Sequence, residues 1–506
     1  MPSPVSSVDP RTGALTEAVV MESTAADVNG AVESAVRAAA GLEALGSHGR
    51  AALLDTLAEA LENQREALVD VADRETALGA ARLNGELART TYQLRFIADV
   101  LRDGRYTGAV IDHAQDTAMG PQPDLRRMLI PLGPVAVFAA SNFPFAFSMP
   151  GGDVASALAA GCPVIVKAHP SHPATSEAVF SILSRAAAAA DAPAGLLTRV
   201  HGMVAGQQLV AHPDVKAVAF TGSTRGGRAL FDLATGRSEP IPFFGELGSL
   251  NPLAVTPAAA AERAAQIGEA WVESFTLGVG QFCTKPGLAL VPAGADGDAL
   301  RDAAVKKTRA VAPAWMLNQG IHDAYQSGVA HLVHVPGAIA HVAGDVRGTE
   351  GFAAGAALIE VSTADLAAHT APLLDECFGP VGIIARYASE DDLLETLRRL
   401  DGSLTATVHL AQDETTLPRH LIRIAAERAG RIVVNGFPTG VAVNWAQHHG
   451  GPWPSSTNSQ HTSVGALSVQ RFLRPVAYQN VPDAFLPPEL QDANPLELPR
   501  RVDGEY

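Results

Sequence analysis

PLGPVAVFAA (131–140), GGDVASALAA (151–160), CPVIVKA (162–168), an Ala-rich run over 174–190, LTRVHG (197–202) and VKAVAFTGS (215–223) follow one another along the chain. The first, third and last are short apolar runs bounded by Gly or Pro, the pattern of strands buried on both faces. The segments between them, including a short helix near 206–211, have helical composition. Strand, helix, strand, helix with apolar strands predicts an α/β fold built on a parallel, doubly wound sheet.

Upstream, residues 25–101 read as helices, with apolar residues at three-and-four spacing in Ala51, Leu53, Leu54, Leu57, Ala58 and Leu61. Residues 110–130 are polar and broken by Pro121 and Pro123, which predicts an excursion from the main lobe. A second α/β alternation is expected from about 250 to 440, with strands in PGLALVPA (286–293), GPVGIIARY (379–387) and RIVVNGF (431–437). The stretch 483–506 is rich in Pro, Glu and Asp and is expected to lie extended, on the surface or on a neighbouring subunit.

Bulk properties narrow the function. A chain of 506 residues exceeds one hydrophobic core, so two or three lobes are expected. Apolar residues make up 47% and charged residues 18%, the balance of a globular protein. With 37 basic and 53 acidic residues the net charge is −16, which argues against nucleic-acid or anionic-membrane partners. The three cysteines, Cys162, Cys283 and Cys377, are far apart, so neither a disulfide framework nor a zinc site is expected. His448 and His449 are adjacent, which points them to opposite sides of a helix or strand. MPSPVSSVDPRTG lacks the features of a signal peptide, and the apolar stretches fall short of a membrane span, so a reducing cytoplasm is expected.

Three residues stand out chemically. Cys283, in GVGQFCTKPG (278–287), reads either as a buried apolar cysteine or as a loop-borne nucleophile, with Lys285 or a helix N-terminus near enough to lower its pKa. Glu246, in FFGELGSLNP (243–252), reads as a solvated carboxylate or as a general base whose apolar flanks raise its pKa. Asn142 follows a buried strand, in AASNFPFAF (139–147). It reads as a turn residue or as an amide able to donate to an oxyanion, at the strand end where doubly wound sheets bind ligands.

Taken together, SNFPF (141–145), VIVKAHPSHP (164–173), FTGS (220–223), GELG (245–248), GQFCTKPG (280–287) and ECFGPVG (376–382) resemble the aldehyde dehydrogenase superfamily, in its order and over nearly the whole chain. GFPTGVAV (436–443), HGGPWPSS (449–456), TSVGA (462–466) and RFLRPVAYQNVP (471–482) look closest to the NADP-linked branch of α-ketoglutarate semialdehyde (2,5-dioxopentanoate) dehydrogenases and bacterial long-chain aldehyde dehydrogenases. The resemblance implies a dinucleotide-binding domain over 1–111 and 131–247, a catalytic domain over 248–466, and an oligomerisation arm over 112–130 and 467–490. The tail 491–506 lies beyond it. A homodimer or homotetramer is implied. By the same resemblance Cys283 is the nucleophile, Glu246 the base and Asn142 the oxyanion donor. Lys167, Ser223, Glu376 and Phe378 match cofactor-binding positions, and Arg225 is a further cation on that rim. Phe145, Phe282 and Phe437 are expected in the substrate pocket, with Arg471 or Arg474 for a substrate carboxylate. No metal is required.

The implied activity is NAD(P)-dependent oxidation of an aldehyde, 2,5-dioxopentanoate foremost, through a thioester. Pro170 stands where NAD-specific relatives carry a glutamate for the ribose 2′-hydroxyl, so NADP is expected to be preferred and NAD possible. The alternatives are a broad-specificity, fatty or aromatic aldehyde dehydrogenase, a CoA-acylating relative, against which Glu246 counts, and a catalytically silent binding protein on the same fold.

Overall fold

The computed structural model describes residues 2–344, 346 and 350–505. An N-terminal hairpin (Pro4–Asp9, Ala14–Met21) leads into four helices: α1 (Ala25–Ala44), α2 (Gly46–Glu62), α3 (Arg65–Thr76) and α4 (Ala80–Asp103). Thr24 starts α1 with a capping box: its hydroxyl accepts from Asp27 N, and Asp27 accepts from Thr24 N. Leu53, Leu54, Leu57, Ala58 and Leu61 are buried on one face of α2, as their spacing predicts. Removing such a stripe from water supplies roughly 1.5–3 kcal/mol per large side chain.

The apolar runs that open the sequence form a five-stranded, all-parallel sheet. Its order is Phe243–Glu246, Ala217–Thr221, Val135–Phe138, Val164–Lys167, Leu197–Val200. From Val135–Phe138 the chain winds first to one side and then to the other. The crevice beyond the carboxyl ends of the strands is therefore a topological switch point, where a doubly wound sheet binds ligands.

A seven-stranded sheet follows, in the order Ile339–Ala343, Ala357–Ser362, Val381–Tyr387, Leu288–Pro292, Leu253–Val255, Ser403–His409, Ala429–Val434. All its pairings are parallel except that of the Ile339–Ala343 edge strand. Fully buried Trp271 and Phe275 pack it from the Pro257–Thr276 helix.

The polar excursion contributes to a third sheet, ordered Leu473–Gln479, Leu125–Pro131, Val110–Asp112, Arg501–Val502. The C-terminal stretch is not simply extended, as its composition suggests. Leu490 and Leu498 are buried, and Arg501–Val502 pairs parallel with Val110–Asp112. Leu498 lies where a Cβ on Gly104 would stand, 2.5 Å from Cδ2, and Gly104 ends α4 at φ +76. Two apolar anchors in a polar segment give no periodic signal but suffice to dock it. Among the described residues no helix is long and apolar enough to cross a membrane.

Candidate active site

A cavity of about 750 Å³ opens at the switch point, lined by Asn142, Ser223, Glu246, Cys283, Glu376 and Phe378 among others. Asn142 follows the Val135–Phe138 strand, Ser223 follows Ala217–Thr221, and Glu246 ends Phe243–Glu246, so three parallel strands deliver three of these groups to one crevice. Cys283 enters from the loop before Leu288–Pro292. That loop is held tightly. Gly280 sits at φ +66 with Gly379 O only 2.2 Å from where a Cβ would be, so glycine alone fits there. Buried Asn251 donates through Nδ2 to Cys283 O at 2.7 Å and Lys285 O at 3.0 Å.

Cys283, Glu246 and His449 form one cluster, with ligand atoms all within 4.8 Å of one another. His449 Nε2 lies 3.0 Å from Glu246 Oε1 and 3.6 Å from Cys283 Sγ. Ser463 Oγ donates to Glu246 Oε2 at 2.8 Å. Burial pushes the Cys283 thiol well above its ordinary value, and the neighbouring Glu246 charge adds to this, while Arg431 opposes it. Burial also pushes Glu246 up, but His449 and Ser463 outweigh that and hold it below the ordinary carboxylate value. The resting pair is therefore thiol and carboxylate. Two expectations are corrected here. The apolar flanks of Glu246 do not raise it, because polar partners from distant sequence reach it. Lys285 does not activate Cys283; its Nζ donates to Cys377 O at 2.6 Å and Gly379 O at 3.0 Å.

His449 was not legible as a site residue. Its adjacency to His448 points the pair only to opposite sides of an element, yet His449 is 1% exposed against Cys283. The only signal is its place in a Gly-rich loop, HHGGPWP (448–454).

Asn142 is buried and donates one Nδ2 hydrogen to Gln281 O at 2.9 Å, while its carbonyl accepts from Arg82 Nη2 at 2.7 Å. Arg82 is wedged against Phe143 and Phe282, 5.1 and 4.8 Å from their ring centres. Of the aromatic residues expected in the pocket, Phe282 adjoins Cys283 in the chain and packs edge-on to Phe143 at 5.1 Å, but it is absent from the lining of the cavity. Phe145 does not line it: the ring is fully buried in the core, and its N–H donates to Glu86 at 2.8 Å. Phe437 packs on His409 at 5.1 Å and is absent from the cavity lining. In SNFPFAF the alternate rings leave the core instead: Phe143 packs on Phe282, and Phe147 tilts toward His449 at 6.3 Å. Arg471 is committed to Asp153, 2.6 Å away and buried, and Arg474 is exposed on the third sheet, so neither waits for a substrate carboxylate.

On the cofactor side, Ser223 caps the Thr224–Thr235 helix by accepting from Gly226 N at 3.2 Å, which leaves that helix's N-terminus facing the crevice. Lys167 is buried, and burial lowers it to about 8, with Glu22 opposing the shift. Arg225 is exposed on the first turn of the same helix. Burial raises Glu376 to about 7, against the pull of Lys285 and a hydrogen bond from Ser249 N. His169 also lines the cavity; burial beside His172 keeps it uncharged, with Nδ1 accepting from Ser171 N at 3.1 Å. A cavity of this size, with the Ser223-capped helix N-terminus and the Glu376 carboxyl in its lining, fits a dinucleotide.

Comparison with known proteins agrees. The aldehyde dehydrogenase family model matches residues 2–473. Alpha-ketoglutaric semialdehyde dehydrogenase 2 of Azospirillum brasilense is 46% identical, covering 98% of this chain and 95% of the relative. Alpha-ketoglutaric semialdehyde dehydrogenase of Acinetobacter baylyi is 42% identical, covering 96% and 92%. Among solved structures, 3,6-anhydro-L-galactose dehydrogenase in complex with NAP shares the fold at TM-score 0.80 with 22% identity, covering 95% and 96%. An aldehyde dehydrogenase from Bacillus cereus, solved as its NAD+ complex, does so at 0.79 with 19% identity, covering 94% and 93%. On the family match and the two close relatives, the chain belongs to the aldehyde dehydrogenase family, whose members oxidise aldehydes with NAD(P).

Proposed function

We propose that this enzyme oxidises 2,5-dioxopentanoate to 2-oxoglutarate through a thioester on Cys283, with NADP preferred over NAD. One observation carries the chemistry: the Cys283 thiol, the Glu246 carboxylate and the His449 imidazole share one cluster at a cavity fit for a dinucleotide. The substrate is carried by the two relatives above 40% identity, both named for this semialdehyde.

As the Cys283 sulfur attacks the aldehyde carbon, the thiol proton is lost to solvent, so Glu246 stays ionised for the second half-reaction. His449 Nε2 stands 3.0 Å from Glu246 Oε1 and 3.6 Å from Cys283 Sγ, placed to donate to the sulfur as it becomes a thiolate during attack. Asn142 has a second amide hydrogen beyond the one given to Gln281, and this, with the Cys283 N–H, holds the oxyanion. A nicotinamide dinucleotide held by Ser223, Glu376 and Phe378 would supply the acceptor for the hydride that leaves the carbon bearing this oxyanion. Glu246 then takes a proton from the water that hydrolyses the thioester, releasing the acid and the free thiol.

Lys167, Arg225 and Pro170 support the NADP preference: two cations border the ribose region, and Pro170 brings no acceptor for a 2′-hydroxyl. Glu376 and Phe378 are assigned to the nicotinamide ribose. Oligomerisation is assigned to the third sheet, whose Leu473–Gln479 strand has an unpaired edge among the described residues.

The test is kcat/KM for 2,5-dioxopentanoate, hexanal and benzaldehyde, each with NADP and with NAD. The oxo acid with NADP is expected to lead. A higher value for hexanal would turn the reading to a fatty aldehyde dehydrogenase, and a higher value with NAD would end the cofactor assignment.

A further inference from the structure

We propose that Arg89 and Arg431, brought from two lobes onto the single loop 438–441, form the subsite for the carboxylate end of the substrate. This rests on the oxo-acid reading above and names the residues that would enforce it.

Arg89 projects from α4. Its Nε and Nη2 each lie 3.4 Å from Val441 O, and its Nη1 lies 3.2 Å from Gln93 Oε1. Arg431 projects from the Ala429–Val434 strand. Its Nη1 donates to Gly440 O at 3.0 Å, its Nη2 donates to Pro438 O, and its Nε is buried without a partner. The two guanidiniums thus converge on four consecutive residues, and every acceptor they hold is neutral. Among the described residues neither has a carboxylate within 4.0 Å, although many of the chain's other arginines do. A largely desolvated guanidinium without a counterion is costly, and its planar fork matches a carboxylate far better than isolated carbonyls.

Position completes the case. The Arg89 guanidinium stacks on Phe147 at 5.2 Å, and Phe147 in turn meets the ring of His449, which touches Cys283. The rings of Phe147 and His449 therefore form the layer between this charge and the nucleophile. Arg431 bears electrostatically on Cys283, and Arg89 on Cys283 and Glu246 after its nearer neighbour Glu86. An acid with its aldehyde at Cys283 and its carboxylate four carbon–carbon bonds away would span this layer. Of the other buried cations beside the site, Arg471 holds Asp153 and Lys285 holds two carbonyls of the 377–379 loop, while Arg82 gives Nη2 to the Asn142 backbone carbonyl and keeps Nη1 without a partner.

The experiment measures, on the full-length enzyme, the ratio of kcat/KM for 2,5-dioxopentanoate to that for pentanal, in wild type, Arg89→Ala, Arg89→Lys and Arg431→Ala. Each alanine variant should lower the ratio roughly ten- to hundredfold, mainly through KM, the loss expected for one charge-assisted contact. Arg89→Lys should recover part of it. If the arginines only clamp the loop, both substrates fall by the same factor and an unchanged ratio overturns the proposal. A second arm uses glutarate as a competitive inhibitor of pentanal oxidation, with its Ki rising in the alanine variants. Should the wild type not favour the oxo acid, the substrate reading fails by itself. The glutarate arm then decides the subsite, and a Ki insensitive to both substitutions overturns it.

Discussion

Replacing Glu246 with Gln removes a negative charge no more than 4.8 Å from the Cys283 sulfur while keeping the side chain's shape. At an effective dielectric of 20, two unit charges at that distance repel by about 3.5 kcal/mol. That is between two and three decades of thiolate at fixed pH, at about 1.4 kcal/mol per decade. The variant also frees the His449 Nε2–H from its 3.0 Å carboxylate contact to serve the sulfur alone. Glu246→Gln should therefore alkylate faster than wild type with iodoacetamide at pH 7.5, by about a hundredfold, and still give one burst of reduced cofactor per active site. Turnover should then stall, because no base remains to activate water. Alkylation that is unchanged or slower would refute the reasoning, since the carboxylate would then be promoting the thiolate rather than repelling it.

His449→Phe removes the donor beside the sulfur, and should slow alkylation of Cys283 about ten- to hundredfold, the worth of one hydrogen bond to a charged group; an unchanged rate would make His449 a packing residue. Lys167, lowered by burial to about 8, is charged below that pH and neutral above it, so the KM for NADP should rise as pH goes from 7 to 9 more steeply than that for NAD. Parallel profiles for the two would remove Lys167 from the 2′-phosphate. Glu75 accepts from Ala174 N, Thr175 N and Thr175 Oγ1 at 2.7–2.8 Å and also from Ser7, tying the N-terminal hairpin and α3 to the Pro173–Ala189 helix. Glu75→Ala should cost about 3–5 kcal/mol in chemical denaturation, and a loss below about 1 kcal/mol would show those donors finding water instead.

The parallel sheet was legible because its strands are buried on both faces, so VAVF and VIVK read as apolar without any tertiary information. The arrival of Asn142, Ser223 and Glu246 at one crevice follows from the same fact, since each ends or follows a strand of that sheet. Cys283 was placed by its motif, but its electrostatics were not: Lys285 is two residues away in sequence, yet its ammonium bonds carbonyls of the 377–379 loop. His449 and Ser463 reach Glu246 across more than 200 residues, a separation no local pattern reports. Phe145 illustrates a finer limit. In the turn after Asn142 the rings alternate, and only the backbone's path decides that Phe145 enters the core while Phe147 turns toward His449. Glu86 fixes that path by accepting from Phe145 N and Ala146 N, and nothing in its own neighbourhood marks it for the role.

The thioester on Cys283 is tested most directly by intact-protein and peptide mass spectrometry of Glu246→Gln, quenched in acid after mixing with NADP and 2,5-dioxopentanoate. The account predicts an acyl adduct of the five-carbon acid on the peptide containing Cys283, at close to one per subunit, absent without NADP and absent in Cys283→Ala. An adduct on another residue, or full turnover by Cys283→Ala, would contradict it.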